Sequence, residues 1–213
     1  MHGLFLYGLN CQPWVWDGIK DHLTDFDIDY AAYPRDVTIR CSSAADLAEW
    51  VFENHVVNHP PYDFILGHSM GGIIALHLSA KPEMHLQKTI LVESFLKPTA
   101  PFYRNLMMES NKATLGEKVY AMLKEEDVHY TMALKSSLKE NFDYTKYLEQ
   151  IHHPVYALYG DRGRKDYPFL LDDLNLNKEH LERLLIGFVD QCCHLPMLEN
   201  PLALARHIVS ILS

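Results

Sequence analysis

The chain has 213 residues, 48% of them hydrophobic and 22% charged, which is enough for one domain with a sizeable core and too few for two comfortable ones. This profile excludes a disordered or fibrous chain, and no run approaches the ~18–20 apolar residues needed to span a bilayer. Formal net charge is −9 and the longest basic stretch is the broken RGRK at 162–165, so nucleic acid and anionic membranes are excluded as expected partners.

In chain order, short apolar strand-like runs alternate with helix-like segments, the pattern of a mostly parallel α/β sheet of about six strands covered on both faces. The expected strands are GLFLYG (3–8), FDIDYAAY (26–33), DFILGH (63–68), KTILVE (88–93), PVYALYG (154–160) and RLLIGFV (183–189). Helices are expected at 14–24, at 43–57 behind a Ser42 or Ser43 cap, at 70–80 and at 200–212. Residues 95–150 break the rhythm: they carry helical periodicity and no convincing strand, and are predicted to be a helical lid inserted into a single domain spanning 1–213. The N-terminal MHGLFLYG lacks the basic start and cleavage site of an export signal, which predicts a cytoplasmic protein. Cys11, Cys41, Cys192 and Cys193 show no CxxC spacing and are expected to be free thiols, with Cys11 and Cys193 near the site.

The chemistry begins at DFILGHSMGGIIAL, where Ser69 stands between Gly67 and Gly71, directly after a strand and before a helix. This is the G-x-S-x-G nucleophile elbow in the context that gives it meaning, because a tight turn leaves no room for side chains at the glycines and exposes the serine hydroxyl. Such a hydroxyl needs a base, and of the 13 histidines His194 stands in the right place, in DQCCHLPMLENP between the last strand and the last helix. His152, His153, His180 and His207 are read as surface or core residues. His55 and His59 have ligand-like i, i+4 spacing but no third ligand, so no metal and no cofactor are predicted.

From FLYGLNCQPWVW through GHSMGG to HLPMLENP, the chain resembles the α/β-hydrolase fold superfamily, and GLNCQPWVW and ADLAEWV are similar to small carboxylesterases of the pimeloyl-carrier-protein methyl ester esterase type. The family's HG turn, followed about eight residues on by Trp, reads Tyr7-Gly8 and Trp16 here. The resemblance implies an oxyanion hole formed by the N–H groups of Leu9 and Met70, and a variable lid at 95–150. It also frames the choice of the triad acid. Members usually carry it three residues after the glycine ending PVYALYG, but that position is Gly163; Asp161 comes too early and Asp166 too late. A minority, including many haloalkane dehalogenases, take the acid from the end of the preceding strand, where VESFLKP supplies Glu93. Glu93 therefore comes first, ahead of Asp161 and then Asp166, and the choice stays open.

The reaction expected is hydrolysis of a carboxylic ester or thioester of a small apolar molecule through an acyl-enzyme on Ser69. Trp16, Phe95, Phe102 and Met107, with Tyr103, Leu106 and Met108, are the candidates for lining an apolar pocket, although most of the lid's apolar side chains are expected to pack the lid onto the body. A homodimer is the one assembly left open. C–C bond hydrolysis or lysis on the same triad, and a non-turnover small-molecule-binding protein, are the alternatives, because fold does not fix function.

Overall fold

The computed structural model describes residues 1–139 and 141–213; Glu140, within the predicted lid, lies outside the described residues. Among the described residues six parallel strands form one sheet: β1 (His2–Leu6), β2 (Asp27–Tyr30), β3 (Phe64–His68), β4 (Lys88–Val92), β5 (Val155–Gly160) and β6 (Leu184–Val189), in the spatial order β2-β1-β3-β4-β5-β6. β2 to β6 each lie within an expected run, and β1 begins one residue before its own, at His2. The central strands β3 and β4 are almost wholly buried, which is why their sequences are continuously apolar rather than alternating.

The helices in chain order are α1 (Asp17–Lys20), α2 (Arg35–Thr38), α3 (Ala44–Val51), α4 (Met70–Ser79), α5 (Glu109–Asp127), α6 (Met132–Ser137), α7 (Lys178–Glu182), α8 (Pro196–Glu199) and α9 (Pro201–Leu212). The helix expected at 14–24 is broken into a 3₁₀ turn at Pro13–Trp16, then α1, then i→i+3 turns from His22 to Ile19 and Leu23 to Lys20. The one expected at 43–57 starts at Ser43, whose hydroxyl accepts from the Asp46 N–H while Asp46 returns the bond in a capping box; it ends in a π-helical turn at Phe52–Val56. Between β4 and β5 the described residues contain α5, α6 and 3₁₀ turns at Pro101–Arg104 and Thr145–Glu149, and no strand.

The strand order fixes where a site can form. From β1 the chain moves outward to β2, then returns across β1 to β3 and proceeds the other way to β6. The reversal opens a crevice between the carboxyl ends of β1 and β3, the place where open parallel sheets bind ligands. The turn after β1 and the β3–α4 junction meet there, and the approach is close: a Cβ on Gly8 would lie 2.8 Å from His68 Nδ1 and 2.9 Å from Ser69 Cβ.

Candidate active site

At the β3–α4 junction Ser69 adopts φ 53° and ψ −120°, a conformation that an L-residue holds only when its surroundings enforce it. Packing enforces it here. A Cβ on Gly71 would collide with the carbonyl oxygen of Leu6 in β1, so α4 can start this close to the sheet only with glycine at that position. Ser69 is thereby lifted to the mouth of the crevice, with α4 running away behind it.

His194 follows β6, and its Nε2 stands 3.1 Å from Ser69 Oγ. Its Nδ1 lies 3.2 Å from Glu93 Oε2 at the end of β4. Glu93 is fully buried and is gripped by Arg162, whose Nη1 and Nη2 donate to Oε1 at 2.6 Å and to Oε2 at 2.7 Å. The Gly160 N–H donates a further bond to Oε1 at 2.5 Å. Burial alone would raise the Glu93 carboxyl, but the Arg162 charge and its hydrogen bonds, with help from His194, hold it below its ordinary value. An ionised carboxylate can only accept, so the His194 proton is assigned to Nδ1, and the Nε2 lone pair faces Ser69.

Asp161 and Asp166 do not meet His194. The Asp161 Oδ1 accepts from the N–H groups of Gly163 and Gln191, both at 2.7 Å, so its carboxylate braces two loops instead. Asp166 is exposed. The chain after β5 turns sharply through left-handed Arg162 (φ 54°) and Gly163 (φ 66°), which directs Arg162 rather than either aspartate towards the site. Arg162 was missed in the sequence; its only signal there was a cation in the loop beside the strand that ends in Glu93.

His68, directly before the serine, is also buried. Its Nε2 donates to the carbonyl of His194 at 2.8 Å, tying the elbow to the loop that carries the second histidine. Burial, reinforced by the neighbouring His194, pushes the His68 pKa down to about 3. Leu9 lies in the turn after β1, where its N–H makes no backbone hydrogen bond among the described residues. Met70 is the first residue of α4, a position whose N–H has no intrahelical acceptor.

A cavity of about 280 Å³ opens over Ser69, His194 and Leu9, walled by Ile73, Phe95, Leu106, Leu123, Leu138 and Phe142. An outer cavity of about 590 Å³ adjoins it, sharing Phe95, Leu106, Leu138 and Phe142 and adding Arg104. Of the expected lining residues, Phe95 and Leu106 line both cavities and Tyr103 lines the outer one. Trp16 does not: it is fully buried, packed edge-on against Phe5 and His68. Phe102 stacks on Tyr167 with centroids 4.2 Å apart, and Met107 is buried in the core. The walls supplied by Leu123, Leu138 and Phe142 were not anticipated, since their meeting depends on how 95–150 folds back. Cys11 lines the inner cavity; burial pushes its thiol, like that of Cys193, up to about 12.

A family described as serine aminopeptidase, S33, matches the chain over residues 41–146. No curated protein sequence matches it. Among solved structures the chain is similar to a bacterial membrane phospholipase A (18% identity, TM-score 0.73, covering 99% of this chain and 78% of that one). It is also similar to a thermophilic esterase from Thermogutta terrifontis (18% identity, TM-score 0.71, covering 100% and 89%). A third is MenH from S. aureus (12% identity, TM-score 0.70, covering 100% and 93%).

Proposed function

The chain is an α/β-hydrolase-fold protein, and from that premise we propose that it is a serine hydrolase cleaving the carboxylic ester or thioester of a small apolar substrate. The observation that carries this reading is the continuous relay Ser69 Oγ–His194 Nε2 and His194 Nδ1–Glu93 Oε2, set at the floor of an apolar cavity. Ser69 Oγ attacks the carbonyl carbon as His194 Nε2 takes its proton. The carbonyl oxygen becomes an oxyanion facing the N–H groups of Leu9 and Met70, the second of which also has the positive end of α4 behind it. His194 then gives its proton to the leaving alkoxide or thiolate, and water repeats the sequence to free the acid. Glu93 holds the imidazole in the required tautomer and stabilises the imidazolium, while Arg162 keeps Glu93 charged.

The 95–150 segment acts as the lid, and its Phe95, Leu106, Leu123 and Leu138 receive the apolar acyl or alcohol part. Thioester hydrolysis falls within the same reading, since the relay is indifferent to the leaving atom.

The test is hydrolysis of short-chain p-nitrophenyl esters by the purified protein and by Ser69→Ala. Turnover should fall at least ~10³-fold in the variant, the loss expected when the nucleophile goes and only binding and the oxyanion hole remain. An undiminished Ser69→Ala enzyme overturns the assignment.

A further inference from the structure

The polar side chains of the turn after β1 converge on one helix outside the sheet. Asn10, itself in the left-handed region at φ 60°, donates from Nδ2 to Asp127 Oδ1 at 2.9 Å. Gln12 donates from Nε2 to Glu126 Oε1 at 2.6 Å, and its own Oε1 accepts from Trp14 Nε1 at 3.0 Å. The Trp14 ring in turn lies 3.7 Å beneath the ammonium of Lys118. Lys118, Glu126 and Asp127 all belong to α5.

Glu126 is a carboxylate only 6% exposed, and it takes no part in the relay at Ser69. Burial would raise its carboxyl, yet the hydrogen bonds from Arg35, at 2.6 Å, and Gln12 hold it below its ordinary value and therefore charged. Asp127 is fixed from its other side by Lys135 at 2.7 Å. A buried charge is costly to keep unless it is fully partnered, and half of this partnership is the turn that contains Leu9.

We propose that Glu126 and Asp127 are positioning residues for the oxyanion hole: through Gln12 and Asn10 they hold the turn that aims the Leu9 N–H. This rests on the reading of Leu9 and Met70 as oxyanion donors. The Met70 half of the hole needs no such support, because α4 fixes that amide. The Leu9 amide sits in an irregular turn closed, among the described residues, by one backbone bond, Cys11 N–H to Gly8 carbonyl at 3.1 Å, and the α5 carboxylates supply the missing rigidity. Leu123, which lines the cavity, precedes Glu126 and Asp127 by three and four residues and so shares their helix face. The wall that an acyl group presses on and the brace of the oxyanion turn are thus one element. Loss of the brace should appear in the chemical step rather than in ground-state binding.

The experiment uses the full chain with Asp127→Ala, Asn10→Gly, the double variant, and Asp127→Asn, which keeps an acceptor oxygen for Asn10. Asn10→Gly removes the amide while tolerating the left-handed backbone. Two quantities are read: kcat and KM for a p-nitrophenyl ester, and the inhibition constant of an alkyl trifluoromethyl ketone. Ser69 Oγ adds to the ketone carbon, its proton passes to His194, and the ketone oxygen becomes an anion in the hole. Both single variants should lose about 10- to 100-fold in kcat and in ketone affinity together, the scale of a misplaced oxyanion donor, with KM little changed. Asp127→Asn should recover most of the loss, and the double variant should be no worse than either single one. Unchanged kcat and ketone affinity in the variants, or a rise in KM at constant kcat, would overturn the proposal. A wild-type protein that neither hydrolyses the ester nor binds the ketone would instead overturn the proposed function, and the brace with it.

Discussion

Three acidic residues stand near the catalytic edge, and the structure separates them by what each carboxylate touches. Glu93 faces His194, Asp161 caps two backbone amides, and Asp166 is exposed. Glu93→Gln should therefore cost orders of magnitude in kcat, because an amide can stabilise the wrong imidazole tautomer. Asp161→Asn keeps an acceptor for both amides and should leave kcat near wild type at a stability cost of about 1 kcal/mol or less. Steady-state kinetics on the two variants decides between them, and a crippled Asp161→Asn beside a normal Glu93→Gln would reverse the assignment. Titration follows the same geometry. Glu93 is held charged by Arg162, and burial pushes His68 down to about 3, so across pH ~5–8 neither changes its charge. A pH–activity profile of His68→Gln should keep the wild-type shape over that window and differ only in height. A limb that moves would give His68 a direct part in proton transfer.

The ends of β4 and β5 are adjacent, with Val92 paired to Leu158, and the Glu93–Arg162 pair staples them. Breaking a buried pair by removing one partner strands the other charge, so Arg162→Leu should cost roughly 3–5 kcal/mol, read as a fall in denaturation midpoint. The sign with pH follows from Glu93, whose folded pKa is depressed: its contribution is present above the ordinary carboxylate range and is lost as pH falls through the folded value. The stability gap between wild type and Arg162→Leu should therefore be widest near neutral pH and narrow in acid. A constant gap would mean that Arg162 stabilises by packing alone. The adjacency of these strand ends also explains what the sequence could and could not disclose. Spacing along the chain puts Glu93 and Asp161 at the same edge, but the left-handed turn at Arg162 and Gly163 that rotates Asp161 away leaves no mark in residue type except Gly163 itself.

For the whole molecule, the sheet was legible because its buried strands are continuous apolar runs bounded by polar turns, and Ser69 and His194 because loops at one edge of a parallel sheet must meet. The cavity walls were not. Phe102 and Met107 are as apolar as the true lining residues, but Phe102 is half-buried against Tyr167 and Met107 packs into the core, whereas Leu138 and Phe142 reach the cavity through long-range folding of 95–150. Helical periodicity says that a segment forms helices; it does not say which side of the assembly they will wall. Whether Ser69 is a nucleophile activated by His194 is read by treating the intact protein with a fluorophosphonate and mapping the modified peptides. A single adduct is expected on the peptide containing Ser69, formed in wild type, strongly slowed in His194→Ala and absent in Ser69→Ala. Unmodified wild-type protein, or an adduct on any other residue, would rule out Ser69 as that nucleophile.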